Sequence, residues 1–264
     1  MMKKTENFIE LVNKEQNQNS QGKLEKPEDI YKIIIVGDPK TGKTSLIDSF
    51  LDRPKQFKYT PTVGLEFVKQ DILFKNQKIQ LHIWDTAGKE EYRTITPAHY
   101  RKVLGAIAVF DCGNMDSLRN VENWIEEVLI YNDDERLQIL VVGNKEDQMG
   151  KNRQQVESKL QYLNIENEDQ DQNGDIIQQQ QSGQQNENKK DKIVDLQAVK
   201  LQQYINLNNG TFKYFQCDCI QKMTNIDKIM EIFSVLVQDI YDENNQNLQE
   251  NINSSNNTSR CQLI

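Results

Sequence analysis

Gly37-Asp38-Pro39-Lys40-Thr41-Gly42-Lys43-Thr44 carries the spacing G-x-x-x-x-G-K-[ST]. It follows the apolar run Tyr31-Lys32-Ile33-Ile34-Ile35-Val36 and precedes a helical pattern through Leu46, Ile47, Phe50 and Leu51. Strand, loop and helix in that order are the context that gives the spacing meaning. Glycines let the backbone curl, so that successive N–H groups point at a phosphate, and the following helix adds its positive N-terminal end. Lys43 is placed to reach the β- and γ-phosphates, and the Thr44 hydroxyl to ligate Mg²⁺. Asp38, Pro39, Lys40, Thr41, Gly42 and Ser45 complete the cradle. The bland alternative is a strand-to-helix turn with a chance glycine pair; the agreement of strand, spacing and helix argues against it.

Downstream, Pro54 and Pro61 punctuate a loop that leads to Thr62. Two runs, Leu65–Phe74 and Gln77–Trp84, flank Lys75-Asn76. The second alternates, with Ile79, Leu81 and Ile83 on one face, so a hairpin is expected. It ends in Trp84-Asp85-Thr86-Ala87-Gly88. A carboxylate at the carboxyl end of such a strand faces the ligand crevice, where its expected task is to hold the Mg²⁺ shell. Gly88 permits close backbone approach to a terminal phosphate. A polar helix or loop is expected over 90–101. Val103–Phe110 and Leu137–Val142 read as strands buried on both faces, separated by a helix over 115–131. The second delivers Asn144-Lys145-Glu146-Asp147.

Composition sets the limits of the ordered part. Only 36% of the 264 residues are hydrophobic, low for a globular chain. The deficit sits in Asn/Gln-rich segments. Residues 1–28 read as a disordered extension with a short helix around 6–14, 150–191 as a disordered insertion in a surface loop, and 242–264 as a flexible tail. Roughly 165 residues of ordinary composition remain, the size of one domain within 29–241. Order is expected to resume with a helix over 194–207, a strand over 211–216 and a helix over 225–241. The net charge of −8 argues against sequence-independent nucleic-acid binding. Four cysteines are too few for a disulfide framework in this length, and Cys217 and Cys219 lack partner histidines for a zinc site. Phe8-Ile9-Glu10-Leu11-Val12 is too short for a signal segment, and no run approaches membrane-spanning length. A soluble intracellular protein is expected.

With these motifs assembled, the chain resembles a Ras-superfamily small GTPase, and within that superfamily a Rab. Tyr59 to Phe67, Ile83 to Gly88 and Tyr92-Arg93-Thr94-Ile95-Thr96 carry the Rab-like character. The resemblance covers about 30–147 and 192–241. It implies an α/β fold, a doubly wound, six-stranded, mostly parallel sheet with helices on both faces and GTP or GDP with Mg²⁺ at the carboxyl edge. Thr44, Thr62 and Asp85 would form the Mg²⁺ set, Gly88 would sense the γ-phosphate, and Asn144 and Asp147 would read guanine. Lys145 would pack along the base and tie its loop to the phosphate loop.

Five departures bear on activity. Lys89 stands where the family has a catalytic glutamine, and a lysine offers only donors to the attacking water. Weak or absent hydrolysis is therefore expected, although Gly88 and Thr62 are in place. Pro39 and Lys40 replace small residues; Pro39 removes an N–H, and Lys40 is expected to point to solvent. Cys219-Ile220-Gln221 replaces the guanine-closing Ser-Ala-Lys, leaving the Ile220 amide able to face the base. Lys55 occupies the position of the aromatic that packs on guanine, with Phe57 nearby. Of the effector-facing aromatic triad, Phe67 and Trp84 are present, and His99 takes the third place, with Tyr100 expected to pack inward.

Cys261-Gln262-Leu263-Ile264 fits a C-a-a-X prenylation signal. A single lipid with only Arg260 as a basic neighbour anchors marginally, so reversible membrane association is expected. The resemblance implies a monomeric trafficking switch on the cytoplasmic face of intracellular membranes. Effectors would bind through Thr62–Phe67, Trp84 and 89–100, and exchange and GTPase-activating factors would act on it. The alternative is a pseudo-GTPase scaffold that binds partners in any nucleotide state. A P-loop kinase or ATPase is disfavoured by Asn144–Asp147.

Overall fold

The isoleucine run before the phosphate loop becomes the middle of a sheet: Ile33, Ile34, Ile35 and Val36 are all fully buried. The computed structural model describes residues 9–11, 27, 29–54, 62, 64–86, 97–162, 165–167, 212–219 and 226–260. The strands are β1 (Glu10–Leu11), β2 (Asp29–Val36), β3 (Leu65–Phe74), β4 (Gln77–Thr86), β5 (Gly105–Asp111), β6 (Gln138–Asn144), β7 (Ile165–Asn167) and β8 (Phe212–Gln216). The helices are α1 (Lys43–Phe50), α2 (Pro97–Tyr100), α3 (Met115–Arg119), α4 (Val121–Tyr131), α5 (Arg153–Tyr162) and α6 (Ile226–Arg260). The spatial order is β1-β3-β4-β2-β5-β6-β8-β7. Only β1–β3 and the β3–β4 hairpin pair antiparallel; the remaining neighbours are parallel.

This order places the β2–α1 loop at the switch point of a doubly wound sheet, because the chain runs to β4 on one side of β2 and to β5 on the other. Both faces are covered, which is why β5 and β6 are apolar without alternation. On one face α1 and α6 pack together, with Phe50 and Phe233 stacked at 3.8 Å between ring centres. On the other, Trp124, Ile125 and Val128 of α4 join Val156 and Leu160 of α5.

Several expectations need correction. Among the described residues the six expected strands are joined by two more at the edges of the sheet, β1 and β7. One extra strand, β1, lies where a short helix was expected. Ile9 is buried beside the hairpin and α6, its amide donates to Ser234 Oγ at 3.3 Å, and Glu10 and Leu11 pair with Leu73 and Ile72. An open strand edge and a hole for one isoleucine outweigh a marginal helical preference. The expected insertion begins with order: α5 occupies 153–162 and β7 occupies 165–167. Average composition hid the pair Val156 and Leu160, four residues apart and both buried. The expected helix over 115–131 is two helices meeting at Asn120, with Asn114 capping the first through Asp116 N. The tail is not a coil from 242: α6 continues to Arg260. Its continuation is fastened by Asp242–Lys75 at 3.8 Å and by Arg136 Nη1 donating to Asn244 Oδ1 at 2.9 Å. A helix over 242–260 is about 28 Å long and stiffer than the flexible tail expected. The helix expected over 194–207 lies outside the described residues. No helix of the described residues is long and apolar enough to cross a membrane.

Candidate functional site

The site is assembled from loops at the carboxyl ends of β2, β4, β6 and β8. The phosphate loop curls as its motif requires. Gly37 has φ 140°, and a Cβ there would stand 2.1 Å from the Val109 carbonyl oxygen. Gly42 has φ 96°, and a Cβ there would stand 2.1 Å from Asn144 Nδ2. Close approach, as much as the turn, demands glycine at both positions. Pro39 and Lys40 are exposed at the tip, and Lys40 itself adopts φ 66°.

Lys43 is buried, and its Nζ donates to the carbonyls of Gly37 and Asp38, each at 2.8 Å. Burial pushes its ammonium down to about 8, against the pull of the Asp85 and Asp38 carboxylates. A cation held by carbonyl dipoles in a dry cradle gains strongly from an anionic oxygen brought beside it. Next to it, Thr44 Oγ1 donates to Asp85 Oδ2 at 2.5 Å and lies 2.9 Å from Thr62 Oγ1. Thr62 Oγ1 is 3.5 Å from Asp85 Oδ2. Burial raises the Asp85 carboxyl to about 6, with Thr44 and Lys43 opposing. Asp85 Oδ1 is buried with no hydrogen-bond partner among the described residues. Two hydroxyls and a carboxylate converging on one point are hard oxygen donors, the set a Mg²⁺ ion takes. The residues therefore fit the ion, and Thr44, Thr62 and Asp85 would hold it.

The opposite half of the crevice is held by Asn144. Its Nδ2 donates to Thr41 O at 2.8 Å, and its Oδ1 accepts from the Cys219 amide at 3.1 Å. One side chain thus ties the phosphate loop, the end of β6 and the loop after β8. Lys145 behaves otherwise than expected. Its Nζ pairs with Asp111 Oδ2 at 2.6 Å, so it ties its loop to the end of β5, while Asn144 makes the link to the phosphate loop. The φ of 60° at Lys145 turns the chain into the short helix Glu146–Gln148, where Asp147 is exposed. Cys217 and Cys219 are buried with sulfurs 3.9 Å apart. Among the described residues no group of three or more metal-ligating side chains forms around them.

Phe67 and Trp84 lie in contact, 4.6 Å between ring centres, and His99 stands 5.7 Å beyond Trp84. Tyr100 is fully buried, its hydroxyl donating to Glu127 Oε1 at 3.0 Å. Gly88, Lys89, Tyr92–Thr96, Lys55, Phe57, Ile220 and Cys261 lie outside the described residues. Sequence reading missed Asp111, although a carboxylate ending a central strand is the same signal that marked Asp85. It also missed Asn120 and Trp124, whose side chains hold Asp38; the signal was that a buried indole N–H needs a partner.

Comparison with known proteins agrees with this geometry. A family model described as Ras family matches residues 32–197. The chain is 38% identical over 128 residues to the Ras-related protein Rab-11A of Dictyostelium discoideum, covering 48% of this chain and 59% of that one. It is 39% identical over 118 residues to the GTP-binding protein ypt3 of Schizosaccharomyces pombe, covering 45% and 55%. With human Ras-related protein Rab-3A it shares 40% over 118 residues, covering 45% and 53%. The chain thus spans little more than half the length of these relatives.

Proposed function

The chain belongs to the Ras family, and on that premise we propose that it is a Rab-type switch that holds GTP and Mg²⁺ well but cleaves GTP poorly. The observation that carries the reading is the convergence of Thr44, Thr62 and Asp85 beside the buried Lys43. When bound, Mg²⁺ supplies charge neutralisation for the β- and γ-phosphates. The chain's own residues do the rest. The phosphate-loop amides and Lys43 bind, Asp85 orients the Thr44 hydroxyl, and Asn144 holds the surrounding loops in register. Asp147 accepts two hydrogen bonds from the guanine edge, a pair that adenine cannot offer. The Ile220 amide would then be the donor left to the base oxygen.

Hydrolysis fails at Lys89. Orienting the attacking water takes an acceptor, and an ammonium has none. The output is binding: effectors meet Phe67, Trp84 and the segment 89–100, and exchange and GTPase-activating factors set the state. The names of the relatives support a role in vesicle traffic. Prenylation at Cys261 would hold the monomer reversibly on the cytoplasmic face of intracellular membranes.

The test is single-turnover hydrolysis of bound GTP. The wild-type protein should cleave far more slowly than Lys89→Gln; equal rates overturn the assignment of Lys89. A second reading has one observation in its favour. Asn144 already ties three loops through protein–protein bonds, as a scaffold that works in any nucleotide state would require. Equal partner binding with GDP and with a non-hydrolysable GTP analogue would establish that scaffold.

A further inference from the structure

Asp38 is the second residue of the phosphate loop, and its side chain faces away from the cradle. Its Oδ1 accepts from the Trp124 indole Nε1 at 2.8 Å, and its Oδ2 accepts from Asn120 Nδ2 at 2.8 Å. The two donors are four residues apart at the start of α4, so they lie on one helical face. The backbone of the same residue works in the opposite direction. Asp38 O accepts from Lys43 Nζ at 2.8 Å and from Thr41 Oγ1 at 2.9 Å.

We propose that Asp38 is a positioning residue: clamped by Trp124 and Asn120, it fixes the curl of the phosphate loop and thereby sets how long a nucleotide stays bound. Three observations make the clamp more than local packing. Pro39 fixes its own φ and restricts Asp38 to extended backbone, so the loop's remaining freedom lies in few torsions. Lys40 sits at φ 66°, a conformation that costs free energy in a non-glycine residue and persists only where its surroundings hold it. Finally, a carboxylate in a phosphate loop has the same sign as its ligand. Two N–H donors turn it towards α4 and keep it satisfied there, while its carbonyl helps aim the Lys43 ammonium. A loop held in its binding geometry loses less entropy on taking up phosphate. Trp124 touches no nucleotide group in this scheme and acts through Asp38.

The inference rests on the nucleotide-binding reading for its ligand but not for its geometry. Its test uses the full chain loaded with labelled GDP and Mg²⁺, with dissociation followed after excess unlabelled GDP. Trp124→Phe should release GDP about tenfold faster, the size expected for losing one hydrogen bond to a charged acceptor, and Asp38→Ala, which loses two, should release it faster still. Exchanging the partners, Asp38→Asn with Asn120→Asp, keeps an acceptor for the indole and reverses the second bond. It should release GDP more slowly than Asn120→Asp alone, which sets two carboxylates against each other. Wild-type release from Trp124→Phe, or no rescue by the exchange, overturns the proposal. Amide hydrogen exchange on the same proteins separates positioning from general loosening. Faster exchange confined to residues 37–46 in Trp124→Phe supports the clamp, and equal acceleration across β5 and β6 overturns it. Should the wild-type protein hold no guanine nucleotide, the proposed function falls, and the exchange pattern of Trp124→Phe still decides the clamp.

Discussion

The phosphate half and the base half of the crevice are built from different materials. In the phosphate half, ionic and hard-oxygen groups converge. Lys43 is buried against two carbonyls, and Thr44, Thr62 and Asp85 meet at one point. In the base half, the described groups are spent on one another. Asn144 bridges Thr41 and Cys219, and Lys145 is paired with Asp111. Cys219, where the family has a serine, is buried against Cys217. The first half is specified by charge placed for a ligand, and the second by bracing among loops. Binding strength should therefore reside mainly in the phosphate half, and loop stability mainly in the base half.

Substitutions can break that division, and the largest effect is expected at Lys43. Lys43→Ala removes the cation of the cradle and should weaken GTP by more than about 3 kcal/mol, read by equilibrium titration with a fluorescent analogue. Melting temperature should move little, because the two carbonyls that accept from Lys43 can turn to water. Next comes Asp147→Ala, which should cost about 2–3 kcal/mol of guanine affinity. Competition by inorganic tripolyphosphate, which lacks a base, should stay as in the wild type; a parallel loss would erase the distinction between the halves. Asn144→Ala should act on the fold, lowering stability in urea by about 2 kcal/mol, because the Cys219 amide and the Thr41 carbonyl lose their partner in a buried place. The smallest effect is expected at Lys145→Met. This removes a partly buried ion pair and leaves Asp111 without its cation though still accepting from the Gly113 amide, for about 1 kcal/mol of stability, with guanine selectivity retained.

The phosphate half was legible in the sequence because its chemistry has a fixed spacing. Gly37, Gly42, Lys43 and Thr44 must be neighbours to curl around one phosphate, and Asp85 must end a strand next to β2. The β3–β4 hairpin and the buried central strands followed from apolar runs, and the parallel, doubly wound order was implied by the resemblance to small GTPases. The rest depended on contacts between distant residues. Ile9 reads as part of a short apolar patch in a polar extension until β3 and α6 supply its hole. Val156 and Leu160 are diluted by their polar neighbours, and a segment average conceals them. The continuation of α6 past Tyr241 relies on Lys75 and Arg136, far off in the chain. The indole of Trp124 fits a core stripe equally well whether or not its N–H meets Asp38. Periodicity reports which face is apolar and says nothing of which polar atom finds which partner.

A crevice that holds GTP by its phosphate half and lacks an acceptor at Lys89 should keep its nucleotide uncleaved. The most direct measurement is the identity and amount of nucleotide released by denaturing freshly purified protein. Close to one guanine nucleotide per chain is expected, with GTP exceeding GDP. Mostly GDP would contradict the claim of poor cleavage, and protein with no bound nucleotide would contradict the claim of retention.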